Sequence, residues 1–178
     1  KSALMYACIA GHRDAAYLLL HETGLQDERG LTATMHGAIN VKANCVQLTA
    51  LKEPRMVDKG GRTALMHAVQ GPIATPGHPA MTQVGSLLTM TESASVLARS
   101  CAIFLLHEAG MYDNDGLTAL HHALYSASTE CISILLEMEQ SLTRITNLMI
   151  SACQGSLTRI QRNRQQLQCQ DTSGKTAL

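Results

Sequence analysis

The chain has 178 residues, room for one domain or a short array of small units. Fourteen Lys and Arg balance fourteen Asp and Glu, and this zero formal charge argues against a dedicated binder of nucleic acid or acidic membrane. A hydrophobic content of 46% excludes a disordered chain, and 3% aromatic residues are too few for the usual core of a sandwich or an α/β enzyme; the Leu- and Ala-rich composition suits short, closely packed helices. The six cysteines (Cys8, Cys45, Cys101, Cys131, Cys153, Cys169) form no C-x-x-C pair, which predicts a reducing, cytoplasmic setting. Apolar runs such as 101–106 are too short to span a bilayer, and there is no signal peptide. The opening at Lys1 and the stop inside a motif at Leu178 read as the ends of an excerpt from a longer chain.

Six copies of one pattern follow one another. The first unit, about 1–27, opens with Ser2-Ala3-Leu4-Met5 and a short helix with Leu4, Ala7 and Cys8 at helical spacing. A turn at Gly11-His12 leads to a second helix carrying Ala15, Ala16, Leu18 and Leu19. The second unit, about 28–58, begins with Asp27-x-x-Gly30-x-Thr32, and its second helix opens at Cys45. The third, about 59–113, begins with Asp58-x-x-Gly61-x-Thr63; Leu65, Ala68 and Val69 mark its first helix and Cys101, Ala102, Phe104 and Leu105 its second. The fourth, about 114–141, begins with Asp113-x-x-Gly116-x-Thr118, then Leu120, Ala123 and Leu124, then Cys131, Ile132, Ile134 and Leu135. A weaker fifth, about 142–171, contains Thr146-Asn147-Leu148-Met149, with Gly155 placed as Gly11 is in the first. Arg144 stands where its loop Gly belongs, and Arg159 interrupts its second helix. A sixth starts at 172–178 with Asp171-x-x-Gly174-x-Thr176 behind it.

The residue after Thr or Ser (Ala3, Ala33, Ala64, Ala119, Asn147, Ala177) recurs at intervals of 30, 31, 55, 28 and 30. The long interval is an insertion. Ala15, Cys45 and Cys131 each lie twelve residues after their markers, whereas Cys101 lies 37 after Ala64, so residues 71–95 are extra. In each unit the Thr or Ser hydroxyl can cap the first helix, and the loop Gly supplies a backbone angle other residues resist. Helices of about nine residues are marginal alone. Stacked pairs bury each other's apolar faces, so the array is stable only as an array.

This helix–turn–helix–loop unit with D-x-x-G-x-T-A-L resembles the ankyrin repeat. Thr118-Ala119-Leu120-His121-His122-Ala123 is similar to the family's T-P-L-H-x-A, and Gly11-His12 matches its turn. The units are shorter than the usual length of about 33 residues, with the deficit after the second helix, so short hairpin loops are expected. Met stands in place of His at Met5, Met35, Met66 and Met149. The combination H-E-x-G-[LM]-x-D-x-x-G-x-T-A with T-A-L-M resembles the large ankyrin arrays of diplomonad protists, which stand alone or follow a NEK-like serine/threonine kinase domain. The resemblance implies that His121 braces its turn by hydrogen bonding, with His122, like His36 and His67, near the exposed side.

Other features each have a plain structural reading. Residues 71–95, opening Gly71-Pro72-Ile73-Ala74-Thr75-Pro76-Gly77-His78-Pro79, could be a partner-binding or phosphorylated loop, or a tolerated bulge that closes cheaply. Cys45, Cys101 and Cys131 share a column, but stacked helices lie roughly 10 Å apart, too far for zinc–sulfur bonds of about 2.3 Å; small buried residues are the better reading. Adjacent His121 and His122 point about 100° apart and chelate poorly. Gly174-Lys175-Thr176 mimics a phosphate loop, but Cys169 stands where the first Gly belongs. Asp113-Asn114-Asp115-Gly116 lacks the later ligands of a calcium loop. Arg159, Arg162 and Arg164 have no aromatic neighbours for base stacking.

The expected fold is therefore an all-α, ankyrin-type helix–turn–helix solenoid of five pairs and the start of a sixth. The expected function is non-catalytic protein–protein recognition, with no cofactor, no metal, no small-molecule substrate, no nucleic acid and no membrane insertion. By the resemblance, a protein partner sits on the concave face of loop tips and first helices. This gives Glu28, Arg29, Lys59, Arg62, Asn114 and Asp115 on the tips and Ile39, Asn40, Gln70, Tyr125 and Ser126 on the helices, with Tyr125 the main anchor. Two other readings stay open: a targeting segment of a larger signalling enzyme such as a NEK-like kinase, and a mechanical or cytoskeletal scaffold.

Overall fold

A computed structural model describes residues 1–70, 90–126 and 128–143, together with 145, 149, 150, 152 and 155. Four helix pairs follow in order: α1 (Ala3–Ala10) with α2 (Arg13–Leu18), α3 (Ala33–Ile39) with α4 (Ala43–Thr49), α5 (Ala64–Gln70) with α6 (Met90–Phe104), and α7 (Ala119–Tyr125) with α8 (Thr129–Thr143). Single turns of 3-10 helix, Leu20–Glu22 and Leu106–Glu108, close the first and third pairs. The first helices α1, α3, α5 and α7 pack in one row, and α2, α4, α6 and α8 pack in a second row behind them. Among the described residues the regular elements are helical; the extended pairing is one isolated bridge between Val57 and Thr63.

Helix α6 begins at Met90, inside the interval 71–95 assigned to the insertion, so residues 90–95 continue into the third pair's second helix. The interior of the insertion at 71–89, most of the fifth unit with Cys153, Cys169, Arg159, Arg162 and Arg164, and the start of the sixth lie outside the described residues.

The polar starts of the first helices act as caps. Met5, Met35 and Met66 N–H groups donate to the hydroxyls of Ser2, Thr32 and Thr63 at 3.3–3.4 Å. In the fourth pair His121 braces the turn: its Nδ1 lies 3.3 Å from the Thr118 amide and 3.1 Å from the Thr118 hydroxyl. Met5 fills that role in the first pair, its sulfur accepting the Ser2 N–H at 3.3 Å. The core runs continuously beneath the caps, from Leu31 and Met35 through Leu65, Cys101 and Leu105 to Leu120, Ile132, Leu135 and Met149. A second cluster packs Leu4, Met5, Ala7, Cys8 and Ala16 of the first pair on Ala33 and Cys45 of the second.

Loop geometry repeats as well. Two residues beyond Glu22, Glu53 and Glu108 the chain takes a left-handed conformation, with Gly24 at φ +86°, Arg55 at φ +58° and Gly110 at φ +81°. Only Arg55 carries a Cβ there, and it is exposed. A left-handed L-residue costs roughly 1–2 kcal/mol, while glycine adds about 0.4–1 kcal/mol of unfolded-chain entropy to be lost. Arg55→Gly is therefore expected to stabilise the chain by about 0.5–1 kcal/mol, seen as a higher urea midpoint. An unchanged or lower midpoint would mean that Arg55 is not strained.

Candidate functional site: the hairpin tips and the columns beneath them

Each hairpin is built on one aspartate. Asp27 Oδ1 accepts the N–H groups of Arg29 and Leu31 at 2.9 and 3.0 Å. Asp58 Oδ1 accepts those of Gly60 and Arg62 at 2.8 and 2.9 Å, and Asp113 Oδ1 those of Asp115 and Leu117 at 3.0 and 2.8 Å. Local side-chain bonds of this kind fix a turn without help from the partner strand.

The other oxygen of each aspartate reaches a histidine nine residues on. Asp27–His36, Asp58–His67 and Asp113–His122 lie at 3.0, 2.9 and 2.8 Å between Oδ2 and Nε2. These histidines are not near the exposed side, as the resemblance implied: they are 3%, 4% and 3% exposed. The reason is the short hairpin, which folds its aspartate back over the first helix. A carboxylate only accepts, so Nε2 carries the proton. His122 Nδ1 lies 2.8 Å from the Gln70 side-chain amide nitrogen of the preceding pair.

A second column consists of glutamates at the end of each pair, half-buried at Glu22 and buried at Glu53, Glu108 and Glu139. Glu22, Glu53, Glu108 and Glu139 accept the N–H groups of Leu4, Thr34, Leu65 and Leu120 at 2.8–2.9 Å, each capping the first helix of its own pair. Glu53 and Glu139 also accept from Gly24 and Gly110 of the preceding pairs, both at 2.8 Å. Orphan donors at the helix start, and the dipole there, favour a carboxylate. Thus E-x4-D-x8-H (Glu22-Asp27-His36, Glu53-Asp58-His67, Glu108-Asp113-His122) recurs three times, its glutamate capping one first helix and its aspartate holding the next hairpin and histidine.

Burial pushes His36 and His67 below the usual imidazole range, more than Asp27 and Asp58 pull them back. Among the described residues the buried His67 Nδ1 has no hydrogen-bond partner, so a proton there meets no acceptor among them. Burial raises Asp27 and Asp113, but their backbone and histidine hydrogen bonds outweigh it and hold both below the usual carboxylate range. Burial drives Glu108 above that range. The unfolded imidazoles bind protons near pH 6.5 while the folded ones resist, so their stabilisation is complete above about pH 6.5 and is lost as pH falls. Glu108 acts oppositely, losing stability as pH rises from its unfolded value towards its raised folded one. Melting temperature is expected to drop between pH 7.5 and 5.5, with a shallower slope in His67→Gln. A flat profile would contradict neutral, buried histidines.

The tips are tied to one another. Lys59 N–H donates to Arg29 O at 3.1 Å, and Asn114 N–H to Gly60 O at 3.0 Å. Of the predicted contact residues, Glu28, Arg29, Lys59, Asn114 and Asp115 lie exposed along this row, with Tyr125 and Ser126 exposed at the end of α7. Ile39, Asn40, Arg62 and Gln70 are half-buried. Several hold the array together: Asn114 Nδ2 donates to Lys59 O at 3.1 Å, Ser126 Oγ to Val69 O at 2.8 Å, Asn40 Nδ2 to His36 O at 2.8 Å, and Arg62 Nε lies 4.0 Å from Asp113. A shallow depression of about 370 Å³ at the first tip is lined by Lys1, Asp27, Glu28 and Arg29.

Cys8, Cys45, Cys101 and Cys131 are free and buried. Burial pushes the Cys8 and Cys101 thiols up to about 12, so they are packing groups and not nucleophiles. Among the described residues no three His, Cys, Asp or Glu side chains gather as a metal site, and no helix is long and apolar enough to cross a membrane.

Two rows of short helices joined by ordered hairpins define a helix-pair solenoid. Residues 1–81 match the family model for ankyrin repeats (3 copies). The crystal structure of the ankyrin repeat domain of Bcl-3, a unique member of the IkappaB protein family, is similar with a TM-score of 0.64 at 21% identity, over 99% of this chain and 78% of that one. A chain from the complex of the predatory endopeptidase Bd0816 of Bdellovibrio bacteriovorus with immunity protein Bd3460 is similar with a TM-score of 0.61 at 20% identity, over 99% and 89%. At these identities the likeness shows the fold. No curated protein matches the chain.

Proposed function

We propose that this array is a non-catalytic module that binds a protein partner along the row of hairpin tips and the adjoining ends of the first helices. The observation that carries this reading is the tip row itself. Glu28, Arg29, Lys59, Asn114 and Asp115 project from turns that Asp27, Asp58 and Asp113 and the bonds between tips already hold in register. A surface ordered before binding loses little further entropy on association. Asp27, Asp58, Asp113 and Glu53 spend their carboxylates on backbone N–H groups and on the hairpin histidines, which fits a structural role. Tyr125, 52% exposed beside Ser126, offers the large aromatic contact that dominates many interfaces. The reducing setting inferred from free thiols makes a cytoplasmic partner the natural choice.

The test is a pull-down with the wild-type chain, identification of a stoichiometric partner, and titration of that partner with variants. Tyr125→Ala is expected to weaken binding about tenfold or more, and the Arg29→Ala/Lys59→Ala pair to weaken it with a reduced salt dependence. Melting temperature should hold in both. Unchanged affinity in both variants would retire this face.

A further inference from the structure

The formal charge of zero hides an uneven distribution. Residues 1–70 hold eight Lys and Arg against six Asp and Glu, while residues 90–143 hold Arg99 alone against seven acids. Four of the six acids in the first stretch are spent inside the array. Glu22 and Glu53 accept first-helix N–H groups, and Asp27 and Asp58 accept hairpin N–H groups and face histidines. The second hairpin is the extreme case. Lys52, Arg55 and Lys59 are exposed and Arg62 is half-buried, and the acids between them are Glu53 and Asp58, both so engaged. Arg62 reaches Asp113 at 4.0 Å; among the described residues Lys52, Arg55 and Lys59 have no ion pair.

Arg55 is also the odd residue of its column. Gly24 and Gly110 adopt the left-handed conformation at little cost, whereas Arg55 holds it at φ +58° with its side chain exposed. A backbone penalty that no ion pair among the described residues offsets points to a use for the guanidinium outside the array. Leu51 and Val57, on either side of Arg55 in the chain, are exposed as well and add apolar surface.

We infer that the second hairpin is the docking point for an acidic segment of a partner protein. Its carboxylates meet Lys52, Arg55 and Lys59, and its apolar side chains cover Leu51 and Val57. This rests on the tip-row reading above and gives that partner a chemistry and a place. Charge complementarity carries it. Carboxylates are drawn to the first two pairs and repelled by the last two, where Asp115 and Glu137 stand exposed. A nucleic acid or an acidic membrane would want the cations to continue along the array, and beyond the second hairpin they do not.

The probe is a fluorescent peptide of alternating Glu and Leu, titrated by anisotropy against the purified chain. Arg55→Gly is expected to raise the urea midpoint and yet weaken the peptide about two- to fivefold, with a flatter salt dependence. Adding Lys52→Ala should weaken it further. Arg13→Ala removes the same charge from the start of α2 and should leave affinity unchanged. Equal losses in Arg13→Ala and Arg55→Gly would overturn the inference, since net charge alone would then explain binding. So would phosphatidylserine vesicles or duplex DNA that bind more tightly than the peptide and depend on Arg55. The partner isolated by pull-down separates the two readings. Binding lost in Tyr125→Ala but unchanged in Arg55→Gly overturns the acidic docking point and leaves the tip row standing, whereas a partner that no variant weakens overturns both.

Discussion

Replacing Glu53 by alanine is expected to destabilise the chain by about 3–4 kcal/mol, a large share of the roughly 5–15 kcal/mol that holds a domain folded. The side chain is buried and accepts two backbone N–H groups, Gly24 from the first pair and Thr34 at the start of α3. Alanine leaves the Thr34 N–H buried without an acceptor, at about 1–3 kcal/mol, releases the more accessible Gly24 N–H at a smaller cost, and removes a carboxylate from a helix start. Glu53→Gln keeps the shape and one good acceptor but turns an N–H group towards a donor, so about half the loss is expected. The effect should be local. Since Glu53 joins the first pair to the second, amide exchange in α1 should accelerate more than in α5 or α7. Equal acceleration everywhere, or a loss below about 1 kcal/mol, would mean that the glutamate does not link the pairs.

Gly61→Ala is expected to destabilise by about 2–4 kcal/mol, and Gly116→Ala by only about 1–2 kcal/mol. Both glycines have left-handed backbones, at φ +76° and +74°. An alanine at either position meets the left-handed penalty of roughly 1–2 kcal/mol. At Gly61 the added Cβ would also lie 2.8 Å from the backbone nitrogen of Asn114, in the next hairpin, whereas at Gly116 no atom of the described residues lies within 4 Å. Relieving that clash means separating the tips and breaking the Asn114–Gly60 bond, an overpacking cost of about 1–3 kcal/mol. Urea unfolding of the two variants measures the difference directly. Equal losses would show that the tips are not in close contact.

The features that the sequence made plain are local. Asp-x-x-Gly-x-Thr encodes a turn and a cap within six residues, so the copies at Asp27, Asp58 and Asp113 located the first helices α3, α5 and α7 and the loops before them. Column arithmetic from Cys45, Cys101 and Cys131 placed the extra residues inside the third pair, but helical spacing cannot say where a helix resumes, and α6 begins at Met90. The networks were harder to read because their bonds cross a loop. His36, His67 and His122 sit among apolar residues of short helices, and periodicity alone assigns a polar group there to solvent. The partner was visible as an Asp nine residues earlier, with a Glu five residues before that, three times over. Glu22 and Glu108 were recognised only as part of an H-E-x-G string, whose reach back to the first helix depends on how the pair folds. The same crossing bonds explain why Gln70, Ser126 and Asn114, chosen as contact residues by column, also hold neighbouring pairs together. In the first pair, Ala15 and Leu18 were expected on the apolar face, and they stand exposed.

Hydrogen exchange in the free chain tests the account most directly, because a recognition surface formed before binding must be ordered without its partner. The amides of Leu31, Lys59, Arg62, Asn114 and Leu117, each donating within or between hairpins, are expected to exchange far more slowly than in an unstructured peptide. Exchange at those five sites as fast as in a random coil, with the helices still protected, would contradict a pre-ordered tip row.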